Sequence, residues 1–167
     1  MTAPGSIALG PVRPGEVATL HGMIRALADY EKLAHLCVGT EADLAAALTG
    51  DPPACEALMA RLDGEPVGFA LYFHTFSTFL ARRGLWLEDL FVLPSARGLG
   101  VGKALLRAVA DVAVQRGCGR FEWSVLDWNT PAIRFYEGLG AAVMPDWRIA
   151  RVTGAAIGRL ARGEPHD

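Results

Sequence analysis

The sequence predicts an α/β domain in which helices layer against a mixed sheet. Three observations predict it. Segments with apolar residues at helical spacing are interleaved with short apolar runs of strand length. Asp63-Gly64 joins two of those runs as a hairpin. Past mid-chain, an apolar run passes through a glycine turn into a helix, and a further apolar run follows. The 167 residues are read as one domain; with 51% apolar and 20% charged residues they can bury a sizeable core rather than stay disordered.

The first helix is expected over residues 14–30, where Val17, Leu20, Ile24, Leu27 and Ala28 recur at helical spacing and Glu16 sits early, as the macrodipole favours. A second helix covers 40–48, with Thr40 as N-cap, Asp43 three residues on, and Gly50 and Pro52-Pro53 as its stop. Strands follow at 55–62 and 66–73, then a hydroxyl- and aromatic-rich loop at 74–79. Residues 85–92 are apolar enough for a central strand. The helix at 102–116 places Leu105, Val109 and Val112 on one face and ends at Gly117 and Gly119. A strand at 121–126 precedes a short helix at 130–137, with Pro131 in its first turn. Strands at 141–144 and 147–153, a terminal helix at 155–162 and a frayed tail at 163–167 complete the expectation.

Composition excludes several functions. The net charge is −2 and no basic block is present, so nucleic acid is not an expected partner. No apolar run reaches the ~18 residues of a membrane span. Residues 1–10 carry neither a basic head nor a long apolar core, so no export signal is seen and a cytoplasmic location is expected. Cys37, Cys55 and Cys118 form no C-x-x-C pair and read as reduced, buried thiols. His21, His35, His74 and His166 show no ligand spacing, so no metal is expected.

The glycine turn is the most informative feature. A strand that ends at a turn, passes Gly98, Gly100 and Gly102 and enters a helix builds a pocket of backbone N–H groups suited to a pyrophosphate. A Walker A loop fails, because Arg97 stands where its first glycine belongs and Ala104 where its hydroxyl belongs. A dinucleotide fingerprint fails on spacing and on its place after an antiparallel hairpin. Arg/Gln-x-x-Gly-x-Gly/Ala is met by Arg97, Gly100 and Gly102. A second pattern, Asn-x-x-Ala-x-x-Phe-Tyr-x-x-x-Gly, is met by Asn129, Ala132, Phe135, Tyr136 and Gly140.

With both patterns at this separation, residues 9–153 resemble the GNAT acetyltransferases. Ala28-Asp-Tyr-Glu31, Val67-Gly-Phe-Ala70, Leu87-Glu-Asp-Leu-Phe-Val92 and Trp128-Asn-Thr-Pro-Ala132 are similar to the spermidine/spermine (diamine) branch. That branch includes relatives acting on thialysine, ornithine and other basic amino acids. The resemblance implies a mostly antiparallel central sheet with a splay between two parallel strands and helices on both faces. It implies acetyl-coenzyme A as donor, a primary amine as acceptor and a homodimer.

Under that resemblance, N–H groups from Gly98, Leu99, Gly100, Val101, Gly102 and Lys103 hold the pyrophosphate, with Lys103 adding charge and Arg97 touching phosphate or positioning the turn. Leu90, Phe91 and Val92 pair with the pantetheine arm, and Asn129, Thr130, Pro131 and Ala132 line the other side of the splay. Tyr136 is the expected catalytic group for the leaving thiolate. A thiol near ~8.5 is more acidic than a phenol near ~10, so full proton transfer is uphill by about 2 kcal/mol and stabilising the anion matters as much. An alkylamine near ~10.4 is only about 0.04% neutral at pH 7, so a base is needed. Glu88 is the candidate, through a water. Glu88 and Asp89 are strand neighbours, so they are expected to point to opposite faces with only Glu88 in the cleft. Tyr30, Glu31, Glu88, Glu122, Trp123 and Ser124 are the expected acceptor contacts. Residues 74–79 carry no carboxylate, unlike the polyamine enzymes; this leaves room for a basic amino acid whose own carboxylate could meet Arg82 or Arg83. Acetylation of a protein N-terminus or lysine, and a coenzyme A sensor without turnover, stay open as alternatives.

Overall fold

The structure, a computed structural model, describes residues 5–164. These form two compact units that divide between Ser124 and Val125.

The first unit is a five-stranded sheet ordered β1-β2-β3-β4-β5: β1 Ile7–Pro11, β2 Glu56–Leu62, β3 Glu65–Ser77, β4 Arg82–Val92 and β5 Arg120–Glu122. The first four strands are antiparallel neighbours, and β4 and β5 are parallel. Asp63 and Gly64 both take positive φ at the β2–β3 turn, as a two-residue hairpin with the twist of its strands requires. β1 was not expected; Ile7 to Pro11 is too short and mixed to show a period, and it forms as an edge strand on β2. β3 runs on through residues 74–77, where a loop was expected. There each residue from His74 to Ser77 finds a ladder partner between Arg82 and Leu85, which outweighs the weak local signal.

Helix α1 (Val17–Tyr30) follows a short 3₁₀ turn, and α2 (Glu41–Thr49) is closed by the expected box between Thr40 and Asp43. Leu20 and Met23 of α1 pack on Met59, Phe69, Leu71 and Phe91, with Leu44 and Leu48 of α2 at the margin. Helix α3 (Val101–Gln115) packs against β3 and β4 and buries Leu105, Leu106, Val109 and Ala113. Because it shares none of the residues of the α1 cluster, it covers the opposite face.

Two polar ties brace the first unit. Arg61 on β2, only 5% exposed, meets Glu16 with both Nε (2.9 Å) and Nη2, and the guanidinium holds the Glu16 carboxyl below its usual range. Arg116 at the end of α3 clasps Glu56 of β2 and donates to His74 Nε2 at 2.9 Å, while His74 Nδ1 lies 3.2 Å from the Gly84 carbonyl. His74 is thus occupied in bracing the sheet. Cys37, Cys55 and Cys118 are unbridged and half-buried rather than fully buried, with Cys55 at the edge of the α1 core.

The second unit contains α4 (Thr130–Glu137) and α5 (Ala155–Ala161). The strands expected at 141–144 and 147–153 do not form. Their apolar residues suit a strand, but among the described residues no strand of this unit pairs with them, and Val143, Met144, Trp147, Ile149 and Val152 stand exposed. The tail expected at 163–167 falls, for residues 165–167, outside the described residues, and so does His166.

The Glu16–Arg61 pair generates a test. Arg61→Ala leaves a largely covered carboxylate uncompensated and should cost about 3 kcal/mol in urea unfolding at pH 7. Glu16 titrates low in the fold, so the pair stabilises above the ordinary carboxylate range and fades as pH falls through it. The variant's deficit should therefore shrink below pH about 4.

Candidate active site

The site is built where β4 runs on past the end of β5. β5 pairs only with Gly84 to Trp86 and ends at Glu122, whereas β4 continues to Val92. From Leu87 to Val92, β4 keeps β3 on one side and has no strand on the other among the described residues. This is the expected splay, and its free edge includes Leu90, Phe91 and Val92.

The chain then turns through Pro94–Ala96 and enters α3 across Gly98 and Gly100, with φ of 78° and 85°. Those angles suit glycine and would strain a side-chain-bearing residue. Gly100 is the N-cap and has no side chain to cap the helix. Among the described residues, no backbone acceptor is found for the N–H groups of residues 98–103. Val101 is buried, anchoring the first turn, while Leu99 and Lys103 face solvent. Unspent donors at a helix N-terminus beside an unpaired strand edge suit a diphosphate followed by an extended, amide-bearing arm. Arg97 is otherwise engaged: its Nε donates to the Val92 carbonyl at 3.1 Å, and its guanidinium lies 5.1 Å from the Tyr30 ring and 5.8 Å from the Phe91 ring.

The acidic residues depart from the expected alternation. Leu71 pairs with Asp89 and Tyr72 with Leu87, so Glu88 is an extra residue, a β-bulge. A bulge breaks the two-residue period. Asp89 takes the face of Leu71, Phe69 and Phe91, which is the α1 face. Glu88 is exposed and accepts from Trp86 Nε1 at 2.9 Å. Trp86 pairs with Phe73, two residues from Leu71, so it shares that face. The two carboxylates are therefore not sent to opposite faces. Asp89 is pushed up to about 6, by burial first, then by the charges of Glu88 and of Glu31 at the end of α1; burial also raises Glu31. The result is an acidic group of Glu31, Glu88 and Asp89 beside Tyr30. Asp89 was passed over in the sequence reading, although two adjacent carboxylates inside an apolar strand were the available signal.

On β5, Glu122 is paired with Arg120 at 2.7 Å and the ring of Trp123 lies 5.0 Å from that of Phe121; Ser124 is exposed beyond the strand. Arg82 and Arg83 are exposed on β4 opposite Ser77 and Phe76. Among the described residues, no group of three or more His, Cys, Asp or Glu is placed to hold a metal, and no helix is long and apolar enough to cross a membrane.

In the second unit, Asn129 is nearly buried and caps α4, its Oδ1 accepting from Ala132 N–H at 3.4 Å. Thr130 and Pro131 are exposed in the first turn. Tyr136 is half-buried, with its ring 5.3 Å from that of Phe135. Its carbonyl accepts from the N–H groups of Leu139 and Ala141. The helix end thus fixes the main chain from which the phenol projects.

A raised Asp89 makes stability pH-dependent with a defined sign. The folded state keeps the proton to higher pH than the unfolded chain, so stability is full below about 4 and is lost as pH rises through about 6. Asp89→Asn should remove that loss. Melting temperatures from pH 4 to 8 should fall for the native protein relative to the variant; parallel curves would refute it.

Comparison with known proteins identifies the family and the fold. A family model described as acetyltransferase (GNAT) family matches residues 20–141. An L-ornithine N5-acetyltransferase of Arabidopsis thaliana is 33% identical, covering 86% of this chain and 83% of its own. A thialysine N-epsilon-acetyltransferase of Sus scrofa is 36% identical, covering 93% and 98%. Among solved structures, an integron cassette protein from the mobile metagenome of V. cholerae superposes with a TM-score of 0.76 at 27% identity, covering 94% of this chain and 98% of that one. The chain belongs to the GNAT acetyltransferase family and is an acyltransferase.

Proposed function

We propose that this enzyme transfers acetyl from acetyl-coenzyme A to the primary amine of a small cationic acceptor, with basic amino acids such as thialysine, ornithine or lysine ahead of polyamines. The observation that carries the reading is the bulge at Glu88, which gathers Glu31, Glu88 and Asp89 beside the open edge of β4. A concentration of carboxylates is what an ammonium group needs in order to dock. The names borne by the ornithine and thialysine relatives support the choice of acceptor.

The residues divide the work as follows. The N–H groups of residues 98–103 hold the diphosphate, and the edge at Leu90 to Val92, with Asn129 to Ala132, holds the arm. The donor supplies an activated acyl carbon. Glu31 and Asp89 attract the ammonium. Glu88 takes the amine proton, directly or through water, and Asp89, already raised by burial, is closer in basicity to the amine than an ordinary carboxylate. Tyr136 comes to its role from the Asn-x-x-Ala-x-x-Phe-Tyr pattern and hydrogen-bonds the departing sulfur. Acetyl passes directly between the two substrates, with no cysteine in the motifs to carry it. The family match spans residues of both units, in keeping with one working domain. A homodimer in the cytoplasm completes the reading; the apolar side chains exposed from Val143 to Leu160 support the association of two chains.

The deciding experiment measures coenzyme A release with ornithine, lysine, thialysine, spermidine and peptide amines. Turnover is expected with the basic amino acids. Activity confined to peptides would favour a protein acetyltransferase, and tight donor binding with every amine inert would favour a sensor. Tyr136→Phe should lower kcat by ~10²-fold with donor affinity nearly unchanged. Light scattering on the eluted protein should give twice the chain mass; a monomer would remove the dimer.

A further inference from the structure

The acceptor-side residues and the phosphate-side turn are separate in sequence, yet one side chain joins them. Arg97 belongs to the turn by position. Its Nε is spent on the Val92 carbonyl, and its guanidinium lies over Tyr30 at 5.1 Å and over Phe91 at 5.8 Å. Tyr30 is the last residue of α1, immediately before Glu31. Phe91 is buried in the α1 core, where packing holds it, and it flanks one side of the guanidinium. Tyr30 is 41% exposed, and Arg97 is a positional constraint on its ring.

The geometry points to Arg97 as a positioning residue that ties Tyr30, and through it the acceptor site, to the turn that grips the donor. The inference rests on the function proposed above. A guanidinium held at three points keeps the Tyr30 ring, and with it the neighbouring Glu31, at a fixed place relative to the turn. Arg97 thereby sets the acceptor side in place beside the donor side. Lysine cannot substitute fully, because a point charge on a flexible stem lacks the planar face that stacks and the Nε that reaches Val92.

The test compares Arg97→Ala, Arg97→Lys, Tyr30→Leu and the double variant Arg97→Ala with Tyr30→Leu. Calorimetry gives coenzyme A affinity, and initial rates give KM for the best amine of the panel at saturating donor. Arg97→Ala should raise the amine KM about three- to tenfold, the size of one or two exposed cation–π contacts, with kcat little changed. Arg97→Lys should recover part of the loss. The double variant should be no worse in amine KM than Tyr30→Leu alone, since both changes break one contact. Melting temperatures within a few degrees of the native protein exclude a folding defect. If Arg97→Ala weakens only coenzyme A, Arg97 is a phosphate ligand; if the two changes add in amine KM, Arg97 acts independently of Tyr30; either result overturns the inference. If the native protein fails to bind coenzyme A at all, it is the reading of the turn that fails.

Discussion

The site depends on an unfinished strand pairing. β4 is hydrogen-bonded along its length to β3, yet on its other side the parallel β5 stops after Gly84 to Trp86. Backbone groups near the middle of a layered α/β unit are rarely left without partners, because an unsatisfied N–H or C=O away from water is costly. Here the shortfall is arranged within a few residues of a helix whose first N–H groups are also unspent. Both deficits lie in one neighbourhood. Together they suit the donor proposed above, an extended amide chain that ends in phosphate.

The second constraint is electrostatic. A regular β4 would separate Glu88 from Asp89 and leave each isolated. The bulge brings them to the side where α1 ends with Glu31, and burial then makes their shared charge expensive. A site that stores unfavourable negative charge is stabilised most by the arrival of a cation. The same feature that costs stability as pH rises therefore favours the ammonium acceptor proposed above.

Much of this was legible in the chain because the signals are local. Asp63-Gly64 encodes its own positive φ, Thr40 and Asp43 cap each other within one turn, and Asn129 with Pro131 opens a helix whose bounds match the expectation. The glycine turn is equally local. What was missed is non-local. Ile7 to Pro11 becomes a strand only because β2 offers an edge, and residues 74–77 extend β3 only because residues 82–85 lie opposite. Residues 141–153 fail in the reverse sense, having apolar residues suited to a strand but making no ladder pairing among the described residues. Arg97 was marked as part of the turn, but its stacking on Tyr30 and the gathering of Asp89 with Glu31 were invisible because they arise from register and from contacts across elements.

The sequence alone determined the layered α/β class, the helix boundaries, the glycine turn into α3 and the adjacent carboxylates of β4, since each is written within a few residues as a period, a cap or a conformational need for glycine. Only the tertiary structure decided which face those carboxylates share, where β4 loses its partner and what Arg97 touches. Register between strands and contacts between helix end and turn are set by packing the whole unit, and no stretch of chain contains them by itself.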